Sequence, residues 1–187
     1  MYKVCQSERS ARRQRYLEQG LLQLMQKKHY DDISVCDLCE YMSIPRKSFY
    51  RYFSGKDGAL FALLDHTLAE FFENPQVGDR LTGGTALGDL DLFFQFWHQR
   101  KSFLDAISNS SLSGILIERA HAFALREGHL PNQIKHYPED IRGIAMAFSI
   151  SGLMAMILQW HQQGFQLSAE KMIQLAAAIL TKPLIQA

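Results

Sequence analysis

Apolar residues in this chain recur at three- and four-residue intervals almost from end to end, and no stretch alternates apolar with polar residues between turn signals. From Ser10 to about Lys28, Tyr16, Leu17, Leu21, Leu24 and Met25 mark one face of a first helix. Asp31-Asp32 makes a turn. Ser34, with Asp37 three residues on, reads as a capping box that opens a short helix to about Tyr41. Met42-Ser43-Ile44 forms the next turn. Pro45, favoured in a first helical turn, starts another short helix that ends near Phe53. Ser54 followed by Asp57 opens a longer helix with Leu60, Phe61, Leu64 and Leu68 on one side. The polar, glycine-rich run "ENPQVGDRLTGGTALGD" (73–89) is the best place for a linker. Beyond it, helices are expected at about 86–98, 102–109, 112–127, 139–163 and 168–182, with breaks at Arg100-Lys101, Asn109-Ser110, Gly128 to Pro138 and Gly164 to Ser168. The pattern predicts an all-α protein.

Charge divides this pattern. Residues 1–60 hold eleven Lys and Arg against seven Asp and Glu, a balance of +4, while the rest hold nine against twelve, or −3. An N-terminal part facing a polyanion is the expectation. Two short helices joined by a tight turn, after a longer helix, form a helix-turn-helix arrangement. Its second helix can enter the major groove of double-stranded DNA, with residues near its N-terminus at base edges. Those are Arg46, Lys47 and Ser48; Arg or Lys can hydrogen-bond guanine O6 and N7, and Ser suits several bases. Tyr50, Arg51 and Tyr52 can supply phosphate contacts. Ser34, at a helix N-terminus, suits another phosphate. Lys56, poorly placed for its own helix dipole, is explained by a phosphate partner. Phe49 and Phe53 fall one turn apart and should join Leu38 in the core, while Tyr50, one residue off that face, can pack its ring and extend its hydroxyl. The plainer alternative is a basic amphipathic helix with a solvated side.

The run "DISVCDLCEYMSIPRKSFYRYFSGKDGAL" resembles the helix-turn-helix signature of the tetracycline-repressor (TetR) family of transcriptional regulators, most specifically in "SFYRYFSGKDGAL". The match spans about residues 10–68. It implies a three-helix helix-turn-helix DNA-binding domain over 1–56, and a helical effector-binding and dimerisation domain over 57–187. It also implies base reading by residues 46–48, a phosphate at Ser34, and a grip on the DNA backbone by Tyr50 and Lys56. Ser43 departs from the family, which usually has Gly in that turn, and a left-handed backbone costs Ser more. Pro45 and Lys47 stand where small or polar residues are common, so base specificity does not carry over.

Family members place an effector pocket and a homodimer interface in the remaining helices. Gly143, Ala147, Ser151 and Ala155 repeat every four residues, and Met172, Ile173, Ala176, Ala177 and Leu180 form a second apolar face after Ser168. By resemblance these two helices pair with their copies; packing within one chain is the alternative. Phe93, Phe94, Phe96, Trp97, Phe103, Phe123 and Trp160, with Met154 and Met156, are core material or the walls of a pocket for an unknown small molecule. Polar groups for such a pocket are His98, His121, His161 or Gln159.

Other signals carry less. The N-terminus "MYKVCQSERSARRQR" lacks the apolar core of a secretory leader. The nearly uncharged run from Ile144 to Trp160 is at the short edge of a membrane span and better suits a buried helix. Cys5, Cys36 and Cys39 have no disulfide spacing, which fits a reducing, cytoplasmic setting. Cys36-x-x-Cys39 reads as packing within a helix, with a thiol-based, oxidation-sensitive repressor as the competing idea. No histidine pair shows metal-ligand spacing, no catalytic motif is present, and no cofactor is expected. A helical carrier of an apolar molecule is the alternative to a regulator.

Overall fold

The computed structural model of the 187-residue chain describes residues 1–73, 86–126 and 138–181. Within them the chain is all-α. The helices are α1 (Glu8–Met25), α2 (Val35–Tyr41), α3 (Arg46–Tyr50), α4 (Lys56–Phe72), α5 (Ala86–His98), α6 (Lys101–Asn109), α7 (Ser113–Arg126), α8 (Glu139–Gln162) and α9 (Ala169–Thr181), with a 3-10 turn at Tyr30–Asp32. Apart from α3, the expected helices lie within about three residues of their positions. The expected linker at 73–89 and the break from Gly128 to Pro138 fall mostly outside the described residues.

The chain divides into two units, Met1–Thr67 with Asp105–Leu112, and Leu68–Leu104 with Ser113–Ala187. Ala59, Leu60, Ala62, Leu63 and Leu64 at the start of α4 are all buried and help close the first core. In that first unit, Leu17, Leu21, Leu24 and Met25 bury the inner stripe of α1, which packs on α2, and α2 packs on α3. Tyr16, expected on that stripe, is 50% exposed with the Arg13 guanidinium 4.9 Å over its ring. Phe49 and Phe53 are buried with ring centroids 5.1 Å apart. Buried Glu18 accepts from His66 Nδ1 at 2.9 Å, tying α1 to α4.

α3 ends at Tyr50 rather than Phe53 because the main chain beyond it pairs elsewhere. Tyr2 bridges Phe53 in antiparallel fashion, Lys3 N donates to Tyr52 O at 2.9 Å, and Ser54 N donates to Met1 O at 3.1 Å. Bonds from Tyr52 N and Phe53 N to Phe49 O keep the two phenylalanines on one side all the same.

In the second unit, α9 packs on α5, and α8 packs on α7 and α5. Phe72 stacks on Phe123 at 5.3 Å, beside a core formed by Ala124 and Met146. Trp160 meets Phe94, His98 and Phe165, and its Nε1 donates to Leu167 O at 3.0 Å. The run in α8 expected to be buried is buried on one side only, at Met146, Met154, Ile157, Leu158 and Trp160. Ile141, Ile144 and Phe148 stand 43%, 71% and 63% exposed at three- and four-residue spacing. The composition cannot separate these cases, since the rest of this chain covers just one side of an all-round apolar helix.

Candidate nucleic-acid interface

The short helices are framed by their caps. Ser34 and Asp37 form the capping box at α2: Asp37 N donates to Ser34 Oγ at 3.1 Å, and Ser34 N donates to the Asp37 carboxylate at 2.8 Å. These bonds, with help from Lys28 at 3.2 Å, hold the Asp37 carboxyl down at about 2. At the other end of α2, Ile44 N bonds Cys39 O and Ser43 N bonds Glu40 O, with Ser43 at φ 51°. This is the Schellman arrangement, which usually has Gly at the left-handed position. The turn expected to strain a serine therefore does hold it in the left-handed region, at a cost of about 1 kcal/mol. It delivers Pro45, and with it α3, at a defined angle.

All eight residues expected at DNA lie in the N-terminal unit, but not on equal terms. Arg46, Lys47 and Arg51 are exposed and have no carboxylate partner among the described residues. Ser48 is half-buried. Tyr50 is 55% exposed while its ring meets Phe49 edge-on at 5.5 Å, which frees its hydroxyl outward. Tyr52 is 9% exposed, its ring against Phe53 at 6.3 Å, so it is chiefly a core residue. The Ser34 hydroxyl is committed to Asp37, leaving main-chain N–H groups as that helix end's donors to an anion.

Lys56 carries a role that its position in sequence does not reveal. Its ammonium donates to Tyr30 O at 2.7 Å and Asp31 O at 3.3 Å, and lies 4.2 Å from the Tyr30 ring centroid. A lysine has three N–H donors, so one direction remains for a phosphate. The 3-10 turn that Lys56 clasps is fixed twice more. The Tyr30 hydroxyl donates to Asp57 at 2.6 Å, and Tyr30 N donates to Ser110 Oγ at 3.0 Å in a buried bond. Burial and the Asp57 carboxylate push the Tyr30 phenol well above its ordinary range, so it stays a donor.

The residues expected at an effector pocket fall into separate groups. Phe93 and Trp97 meet at 6.4 Å beside Phe96 and Phe103; His98 stacks on Trp160 at 5.3 Å; Phe123 packs with Phe72. Trp97, Phe123, Met154 and Trp160 are buried, Phe93 and His121 are half-buried, and His98 is exposed. Trp97 Nε1 and His121 Nε2 are buried without a hydrogen-bond partner among the described residues. Of the residues expected at a dimer interface, Met172 and Ala176 are buried within this chain at 4% and 0% exposure, because α9 packs on α5. Gly143, Ala147, Ser151 and Ile173 are half-buried, and Ala155 and Leu180 are exposed. Among the described residues no group of three or more His, Cys, Asp or Glu is placed to hold a metal ion.

No family model matches the sequence, and no curated protein matches it. Solved structures do match, over nearly the whole chain. A transcriptional regulator from Pseudomonas aeruginosa PAO1 aligns at TM-score 0.67 and 13% identity, covering 92% of this chain and 90% of its own. The fatty acid degradation regulator FadR from Bacillus halodurans aligns at 0.61 and 10% identity, covering 91% and 95%. A TetR-family regulator from Streptomyces coelicolor aligns at 0.52 and 22% identity, covering 89% and 78%. The fold is one that TetR-family regulators use. At such identities the TetR likeness concerns the backbone, and residue roles must come from this chain's own geometry. The contributions of Ser110 and of residues 1–5 to the TetR-like N-terminal unit were invisible in sequence, since both act over long separations.

Proposed function

We propose that the chain is a DNA-binding transcriptional regulator, acting as a cytoplasmic homodimer on a palindromic operator and released from it by a small-molecule effector. The observation that carries this reading is the surface of α3. Arg46, Lys47 and Arg51 stand exposed without carboxylate partners beside the outward Tyr50 hydroxyl, and residues 42–56 contain no acid. A solvated helix usually intersperses both signs of charge; a helix that meets phosphates does not need to. Selection of bound sequences from random duplex DNA tests it. A palindromic consensus is expected, and absence of enrichment would favour the helical carrier.

The exposed α8 stripe of Ile141, Ile144 and Phe148, with Leu175 and Leu180 on α9, supports the dimer. Burying one fully exposed Phe or Ile side chain contributes about 1.5–3 kcal/mol, so covering the exposed part of the stripe favours pairing, against the entropy that association costs. α8 is also long and apolar enough to cross a membrane. Sedimentation without detergent separates the two, since a soluble dimer of about twice 21.4 kDa requires the stripe to be covered by its copy. The effector's site belongs among the helices of the second unit. The buried Trp97 Nε1, an indole donor without a partner among the described residues, favours a molecule carrying a hydrogen-bond acceptor. Ser110 follows α6 and holds the turn before α2, which makes α6 the route by which binding would loosen the head. An oxidation-sensing role draws little support, because burial pushes the Cys39 thiol up and away from the reactive thiolate.

A further inference from the structure

The first five residues form a strap. Tyr2 pairs with Phe53 through the main chain, and its hydroxyl donates to Asp65 at 2.7 Å. Cys5 Sγ donates to Gln14 Oε1 at 3.0 Å, while the Gln14 amide donates back to Lys3 O at 3.1 Å; Gln14 itself is 2% exposed. At Gly58 the strap comes so close that a Cβ would lie 2.3 Å from Met1 O, a main-chain atom that has little room to yield. The segment is thus built into the N-terminal unit by residues of α1, α4 and the turn between α3 and α4.

Tyr2 and Cys5 make the inward side-chain contacts, while Lys3, opposite Tyr52, and Val4 are exposed. Lys3 has no carboxylate partner among the described residues, and neither has Arg51, the residue next to Tyr52. Residues 1–7 and 42–56 together contain no acid and carry Lys3, Arg46, Lys47, Arg51 and Lys56. The strap therefore extends the acid-free surface of α3 by one fixed cation.

We infer that the strap is part of the DNA interface, with Lys3 taking a backbone phosphate beside the one met by Arg51. The inference rests on the DNA-binding reading above. A main chain already held at Met1 and Lys3 by its bonds to Tyr52, Ser54 and Gln14 gives that contact a low entropic cost, unlike a disordered basic tail. Phosphate contacts are blind to sequence, so Lys3 adds affinity and salt dependence and no base preference.

The test compares the full-length parent with Lys3→Ala, Arg46→Ala and, as a net-charge control, the exposed Lys171→Ala on α9, by titrating the selected duplex over a range of salt. Thermal melts of each variant confirm folding. Lys3→Ala should lower the slope of log K against log salt by about 0.9 for each Lys3 in contact, and leave the selected consensus unchanged. If Lys3→Ala matches the parent's slope while Arg46→Ala alters binding, the strap is structural and the inference falls, with the DNA-binding reading intact. An equal drop with Lys171→Ala would reduce the effect to net charge and also overturn it. If the parent itself binds no duplex, the reading fails first and takes the strap contact with it.

Discussion

The two units expose opposite kinds of surface. On the first, Lys3, Arg46, Lys47 and Arg51 stand exposed beside Tyr50; on the second, the exposed residues that stand out are Ile141, Ile144, Phe148, Leu175 and Leu180. The first kind is met by a polyanion and weakened by salt. The second is met by apolar contact, which salt does not screen. On the proposed reading, assembly and DNA binding would therefore respond differently to salt. Composition averages that difference away to a net charge of +1.

The comparison breaks most readily on α8. Ile144→Asp with Phe148→Asp puts two charges at the centre of the proposed seam, and sedimentation should show the mass halved, with operator binding reduced by two orders of magnitude or more. A dimer that survives would move the interface elsewhere. Next come the head's cations. Arg51→Ala should weaken binding about tenfold and lower the salt slope by about 1, with the dimer's mass unchanged. Arg46→Ala should instead relax preference at particular base pairs in a repeated selection. Loss of dimerisation in either variant would mean that the two surfaces are not independent.

Smaller effects probe how the head is held. Ser43→Gly should stabilise the protein by about 0.5–1 kcal/mol in urea denaturation, because Gly enters the left-handed position at less cost. The faintest is the Asp37 cap. Its carboxyl sits near 2 in the folded protein and near 4 in an unfolded chain, so its contribution is complete above about pH 4 and disappears as pH falls toward 2. An Asp37→Asn variant should lose that part of the acid dependence, as followed by helix signal in an acid titration.

The helices were legible because one local period, repeated every three or four residues, sets both helix and buried face. Leu17, Leu21, Phe49 and Leu64 are all where that period puts them. The failures share a cause as well. Lys56 matches a phosphate-gripping position, yet it spends two donors on carbonyls 25 and 26 residues away. Met172 and Ala176 belong to an apolar face whose partner, α5 or a second copy, periodicity cannot name. Tyr52 looked outward because rings and charges alternate around it, and the strap that covers its main chain shows no period at all. The exposure of the candidate site's cations was readable, and contacts that span a long stretch of chain were not.

One such contact bears on how the protein is made. The bond from Tyr30 N to Ser110 spans 80 residues, and the N-terminal unit takes in residues up to Leu112. On a ribosome adding about 5–20 residues per second, Leu112 follows Thr67 by about 2–9 s. Through that interval a complete helix-turn-helix sequence already exists, with its buried Tyr30 amide waiting for an acceptor. Until Ser110 arrives the head lacks that bond and the packing of residues 105–112, so a fragment ending at Thr67 should be less stable than the same residues in the whole chain.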